Sequence, residues 1–412
     1  MNSDRNNNLS HTETTDHEQD PFAAIRPYHD NEVAEVLARL AHDPELLDAL
    51  TQYRLPRLAR LMPRVARALA SLVVRREIRN VHTISEFQSR IASYMQRMIR
   101  TTTDSFSVEG LDALGELKAD TAYLFIGNHR DISLDPAFVN YALYLSGRDT
   151  VRIAIGDNLL KKPYVTDLMR LNKSFIVPRS SRGKRAMLAA YQSLSAYIRH
   201  SITADNHSIW MAQREGRAKD GIDCTDPAII KMITMDRRRN DRTASIGDAV
   251  AELRLVPVSI SYEYDPCDIQ KARELDAVQR SGNYEKQDFE DIQSIVAGIT
   301  GHKGRVMLRF GTPLDANHNS AEEVAAEIDR QVLQGYELFP SHYLALEALG
   351  DAPELVDTSA ITHADRMRFK ARLDAVPTSL QPLWLAQYAN PVKSHANSRP
   401  ALTPGASEQA NL

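Results

Sequence analysis

Only two cysteines, Cys224 and Cys267, occur in 412 residues. They show neither a pairing pattern nor metal-ligand spacing, so no disulfide framework or zinc site is expected. No apolar run approaches the ~18 residues that a bilayer-spanning helix needs. The opening stretch M-N-S-D-R-N-N-N-L-S lacks the apolar core of a secretory leader. G-x-x-x-x-G-K-S/T and G-x-G-x-x-G are both missing, which disfavours a nucleotide site. G-x-S-x-G is missing too, and with it the nucleophile elbow of an α/β-hydrolase. A formal net charge of −4 gives no sign of a nucleic-acid partner. These absences predict a protein of a reducing, cytoplasmic compartment with no membrane span.

What remains is an ordinary globular composition, 43% apolar and 25% charged, long enough for a large core and two or three structural units. Residues 1–25 are polar and predict disorder, as does the Pro-, Ser- and Asn-rich tail at 391–412. Residues 26–103 read as helical and basic. Val33, Val36, Leu37, Leu40 and Leu47 recur at helical spacing, with a break near Asp43-Pro44. Between 54 and 79, eight arginines face a single acid, Glu77, and are interleaved with leucines and valines. Such a stretch suits an anionic membrane surface, with cations on head groups and apolar side chains in the acyl boundary. A solvated basic face on helices packed against the protein's own core is the other reading. Pro56 and Pro63 break any continuous helix there.

From 104 to 315 the pattern alternates between strands and helices. Strands are predicted at 122–126, 151–155, 174–178, 207–212, 254–262 and 305–310, with helical periodicity near 136–146, 158–171, 182–203, 226–236 and 286–299. This alternation predicts an α/β domain with a mixed, largely parallel sheet flanked by helices. Residues 263–286 are charged and predict an excursion from the sheet, and 316–390 a C-terminal helical region. Sites in such sheets form beyond the strands' carboxyl ends. Three of these ends carry suggestive groups. The run A-Y-L-F-I-G-N-H-R-D-I-S-L-D-P places His129 after a buried strand, with Asp131 and Asp135 close behind and Asp135-Pro136 as N-cap and first turn of a helix. A histidine with a nearby carboxylate suits a general base and its orienting partner. Strand 174–178 ends in Pro178-Arg179, and strand 207–212 leads into Q-R-E-G-R-A-K-D-G. Two basic clusters near a base make an anion site, for which arginine's planar fork suits phosphate. Strand 254–262 carries Val256-Pro257-Val258, where proline belongs at an edge or bulge.

In order and spacing these four blocks resemble the glycerolipid acyltransferase family, which includes glycerol-3-phosphate and 1-acylglycerol-3-phosphate acyltransferases. The family's N-H-x-x-x-x-D corresponds to N-H-R-D-I-S-L-D, its G-x-x-F-I-x-R-like block to K-S-F-I-V-P-R, its E-G-T-R-S to E-G-R-A-K, and its V-P-V block to L-V-P-V-S-I. Leu134 stands at the family's acid position, and Asp135 lies one residue further. The third block is one residue short.

The resemblance implies a glycerolipid acyltransferase-like α/β fold with helical N- and C-terminal additions. It implies transfer of a fatty acyl group from acyl-CoA or acyl carrier protein to a hydroxyl of a glycerol phosphate lipid such as 1-acylglycerol-3-phosphate. His129 would act as general base and Asp135 as its partner. Arg179, Glu215, Gly216, Arg217 and Lys219 would hold the acceptor phosphate, without a metal or cofactor. The arginine-rich segment would dock the enzyme peripherally on the cytoplasmic face of an anionic membrane. The competing expectations are a remodelling acyltransferase acting on another lysophospholipid, and a non-catalytic lipid-surface protein of the same fold.

Overall fold

The computed structural model describes residues 20–114, 121–287, 290–351 and 361–398. Most of the segments predicted to be disordered, 1–19 and 399–412, lie outside these described residues. Seven strands, β1 Ser105–Glu109, β2 Leu124–Gly127, β3 Arg152–Gly156, β4 Ser174–Val177, β5 Ile209–Ala212, β6 Leu255–Tyr262 and β7 Arg305–Phe310, form a single sheet. Their order is β1-β7-β6-β2-β5-β3-β4. Every pair is parallel except β6 with β7. The sheet is therefore mixed and largely parallel, as the alternation predicts. Strand β1, absent from the sequence reading, alternates exposed and half-buried positions in S-F-S-V-E, so it has no continuous apolar run.

Strand β2 lies near the middle and shows why the sheet holds. Phe125 points into one core with Phe138, Tyr262 and Phe310. Leu124 and Ile126 point into the opposite core with Ile198, Ile209 and Val324. Each such side chain, removed from water, contributes roughly 1.5–3 kcal/mol. Pro257 sits in a central strand rather than at an edge. It escapes the usual penalty because the antiparallel ladder with β7 begins only at Val258.

Pro44, Pro56 and Pro63 each open a helix at its first turn, where the missing N–H costs nothing. The arginine-rich stretch is thus split into helices Pro56–Leu61 and Pro63–Ile78. Their outer face is apolar as well as basic: Leu61 is 79% exposed, Leu72 65% and Val73 59%.

At the C-terminal end the charged excursion gains its structure, and two expectations need correction. The charged excursion holds a helix, Asp268–Ser281, whose Lys271 and Glu274 are buried. Its buried charges hide the inward face from a hydropathy reading. Helix Ala321–Gly335, placed beyond the α/β boundary at 315, buries Val324, Ile328 and Val332 in the same core as β2. The last helix, Gln381–Ser398, continues past 391 because Trp384, Tyr388, Ala389 and Val392 pack into a third cluster with Tyr264 and Phe369.

Candidate active site

His129 lies two residues past the end of β2, where the carboxyl ends of β2 and β5 lie side by side and β6 runs on beyond them. Asn128, fully buried, fixes the exit from the strand: its side chain accepts from Ile260 N at 2.8 Å and donates to Ile260 O at 3.0 Å. The imidazole is then aimed by its partners. His129 Nδ1 lies 2.9 Å from Asp135 Oδ2. That oxygen also accepts from the backbone N–H of Arg130 at 2.6 Å and of Asp131 at 2.9 Å. The other carboxylate oxygen accepts from Tyr262 Oη at 2.8 Å. Burial, and then the charge of Asp135, push the Tyr262 hydroxyl well above its ordinary pKa, so it stays a donor. A carboxylate only accepts, so Nδ1 carries the proton and Nε2 keeps a free lone pair. The ring is slightly exposed and stands edge-on to Trp210, with centroids 6.0 Å apart.

Asp135 is not the N-cap that the sequence suggested. The helix begins at Leu134, and it is Asp131 Oδ1 that accepts from Leu134 N and Ser133 N, both at 2.9 Å. With the cap supplied by Asp131, Asp135 sits in the first turn with its carboxylate free for the histidine. The second oxygen of Asp131 is buried without a hydrogen-bond partner among the described residues. It faces Gly298, where an added Cβ would stand 2.3 Å away. Burial and the neighbouring Asp135 charge raise the pKa of Asp131.

The third block is laced onto this loop. Gln213 N donates to Gly127 O and Ala218 N to His129 O, each at 2.8 Å. The turn between them places Glu215, Gly216 and Arg217 beside the histidine's own loop. Arg179 crosses from the end of β4 over Gly156, which has no side chain to block it, and donates to Glu215 Oε1 at 3.1 Å. Arg217 reaches Ser294 Oγ at 3.4 Å, and its Nη1 is buried with no hydrogen-bond partner among the described residues. Lys219 departs from the expected grouping, because it is engaged in an ion pair with the buried Glu274.

Other functional positions escaped the sequence reading. Tyr262 had no signal beyond its place at the end of an apolar strand. Lys271 is buried and donates to Arg130 O at 2.7 Å and to the Asp265 carboxylate. Arg130 is turned inward, pairs with Asp223 at 2.6 Å and lies 5.0 Å from the centre of the Tyr336 ring. Among the described residues no group of side chains could hold a metal ion, and no helix is long and apolar enough to cross a membrane.

Residues 105–214 match the family model described as Acyltransferase. That span holds His129, Asp135 and Arg179 and stops just short of Glu215. No curated protein matches the chain. Among solved structures the chain is similar to the 1-acyl-sn-glycerophosphate acyltransferase PlsC from Thermotoga maritima. The identity is 16%, the match covers 71% of this chain and 94% of that one, and the TM-score is 0.37.

Proposed function

We propose, on the premise that residues 105–214 make this chain an acyltransferase, that it esterifies a hydroxyl of a glycerol phosphate lipid, such as 1-acylglycerol-3-phosphate, using an acyl thioester. The observation that carries this reading is the His129–Asp135 hydrogen bond, which leaves Nε2 as the basic atom at the carboxyl end of β2. An alcohol is a weak nucleophile at neutral pH. Nε2 takes its proton as the hydroxyl oxygen attacks the thioester carbonyl, and Asp135 stabilises the imidazolium that forms. The C–S bond then breaks and the imidazolium returns the proton to the departing thiolate, giving an ester and a free thiol. Neither a covalent acyl-enzyme nor a redox step is needed. Acyl-CoA and acyl carrier protein both supply the required thioester.

Arg217 and Arg179 are assigned to the acceptor phosphate. The buried Nη1 of Arg217, without a hydrogen-bond partner among the described residues, supports this, since a guanidinium N–H free to donate suits an anion. Arg179→Ala and Arg217→Ala should chiefly raise the KM for the phosphate-bearing acceptor. Loss of one charge-assisted contact corresponds to roughly 1.5–3 kcal/mol of binding. Wild-type acceptor kinetics in both variants would move the phosphate site elsewhere.

Helices Pro56–Leu61 and Pro63–Ile78 are assigned to the membrane surface, with Leu61, Met62, Leu69, Leu72 and Val73 exposed among the arginines. Co-sedimentation with vesicles should require anionic lipid and weaken with salt, because head-group attraction is screened within about 8 Å at physiological ionic strength. Equal binding to neutral vesicles would reject the electrostatic part of this assignment.

A further inference from the structure

A second polar cavity lies at the opposite end of the sheet from His129. Its volume is about 560 Å³. Its floor is set by the starts of β3 and β4, through Arg152 and Lys173, whereas the proposed chemistry uses the far ends of β2, β4 and β5. The segment 20–30 forms one wall. It is held there by Ile176 N donating to Ile25 O at 2.9 Å, and by Arg170, which donates to Arg26 O and Ala23 O at 2.9 Å each.

The cations lining the cavity differ in how far they are held by carboxylates. Arg26 is satisfied by Asp20 and Glu32, and Arg152 by Asp205 and Ser201. Asp205 also lies 3.2 Å from His200, and Asp30 accepts from Ile84 N at 2.8 Å. Arg148 and Lys173 remain. The Nη1 of Arg148 is buried without a hydrogen-bond partner among the described residues. Lys173 Nζ donates to a backbone carbonyl, Thr150 O at 2.9 Å, and forms no ion pair within 4 Å among the described residues. Asp149, exposed at the rim, sets its charge against Lys173, as Asp30 does. His207 registers the balance: burial first, and then the cations Arg152 and Lys173, push its pKa down to about 4.

Lys173 holds φ at +60°, a region that glycine enters freely and a lysine does not. The position follows the C-terminus of helix Pro163–Leu171, and it costs backbone strain that a glycine would not incur.

We propose that this cavity is a binding site for a small phosphorylated anion, with Arg148 and Lys173 as its principal ligands, separate from the acceptor site at the other end of the sheet. The volume admits an organic body as well as the phosphate. The site does not depend on the acyl-transfer assignment.

The test is calorimetric titration with inorganic phosphate against chloride at matched ionic strength. It uses the full chain carrying Arg179→Ala and Arg217→Ala, so that the opposite end of the sheet does not contribute. Saturable binding is expected. Adding Arg148→Gln should weaken it about tenfold or more, the loss of one charge-assisted contact. Lys173→Gly should weaken it similarly while melting no lower than its parent, because glycine relieves the left-handed strain. That pairing separates lost binding from lost folding. Absence of saturable binding up to about 10 mM phosphate, a Kd too weak for a built site, would overturn the proposal. So would an affinity unchanged by both substitutions, which would mean adventitious binding at exposed cations. Repeating the titration with a phosphate monoester of larger organic body tells whether the remaining volume takes part, since tighter binding than inorganic phosphate requires it.

Discussion

His129→Ala should abolish acyl transfer, and Asp135→Asn should lower kcat by orders of magnitude while leaving the fold intact. Removing a positioned general base forfeits typically about 10²–10⁴ in rate. Asp135→Asn is the sharper test because the replacement is nearly isosteric. An asparagine oxygen in the Oδ2 position can still accept from Arg130 N and Asp131 N, so the loop keeps its backbone anchors. What is lost is the negative charge that stabilises the imidazolium and fixes the proton on Nδ1. Asp131→Asn should be much milder. Its working oxygen caps the helix Leu134–Leu145, a task asparagine performs as well as aspartate. Tyr262→Phe should fall between the two, since it removes one donor from Asp135 without touching the histidine. Thiol release from acyl-CoA in the presence of a lysolipid acceptor measures all four. A dead Asp131→Asn beside an active Asp135→Asn would reverse the partner assignment. An active His129→Ala would sink the general-base mechanism.

The parts of this site legible in the sequence are those written within one short stretch. His129 and Asp135 are six residues apart, and a strand, a tight exit and a helix start suffice to bring them together. The parts that were not legible are contacts between distant segments. Tyr262 donates to Asp135 across 127 residues and Lys271 to the Arg130 carbonyl across 141. Nothing in local periodicity announces either one. Polarity misled where charges are buried in pairs. The stretch around Lys271 and Glu274 reads as solvated, yet each charge is neutralised by a partner and the helix faces inward. Strand β1 failed for the opposite reason, with polar residues on an exposed face diluting Phe106 and Val108. Proline, by contrast, spoke clearly at 44, 56 and 63, because its effect on helix starts is local.

Lys271→Met should give the largest stability loss among substitutions outside the histidine loop, about 3–5 kcal/mol, because it leaves one partner of a buried ion pair uncompensated. Lys271 is 2% exposed, and its ammonium donates to the mostly buried Asp265 carboxylate and to the Arg130 carbonyl. Burial opposes ionisation of Asp265, but the adjacent Lys271 charge outweighs it and holds the acid below its ordinary pKa. A depressed acid contributes stability that is present above its unfolded pKa, near 3.9, and is lost only as pH falls through the lower folded value. In Lys271→Met the opposing burial is met only by the Cys267 N–H and the Arg217 charge, so the folded pKa of Asp265 rises. The variant should therefore lose most stability at neutral pH and less at mildly acidic pH, because protonation of Asp265 removes the charge left without its lysine. Denaturant unfolding at the two pH values measures this directly. Adding Asp265→Asn to Lys271→Met should restore much of the loss at neutral pH, since no buried charge then remains unpaired. Catalysis should not be restored with it. The Arg130 carbonyl, one peptide from His129, still lacks its donor, and the loop carrying the base is less firmly held. A Lys271→Met protein as stable as wild type at neutral pH would show that this pair does not anchor the loop.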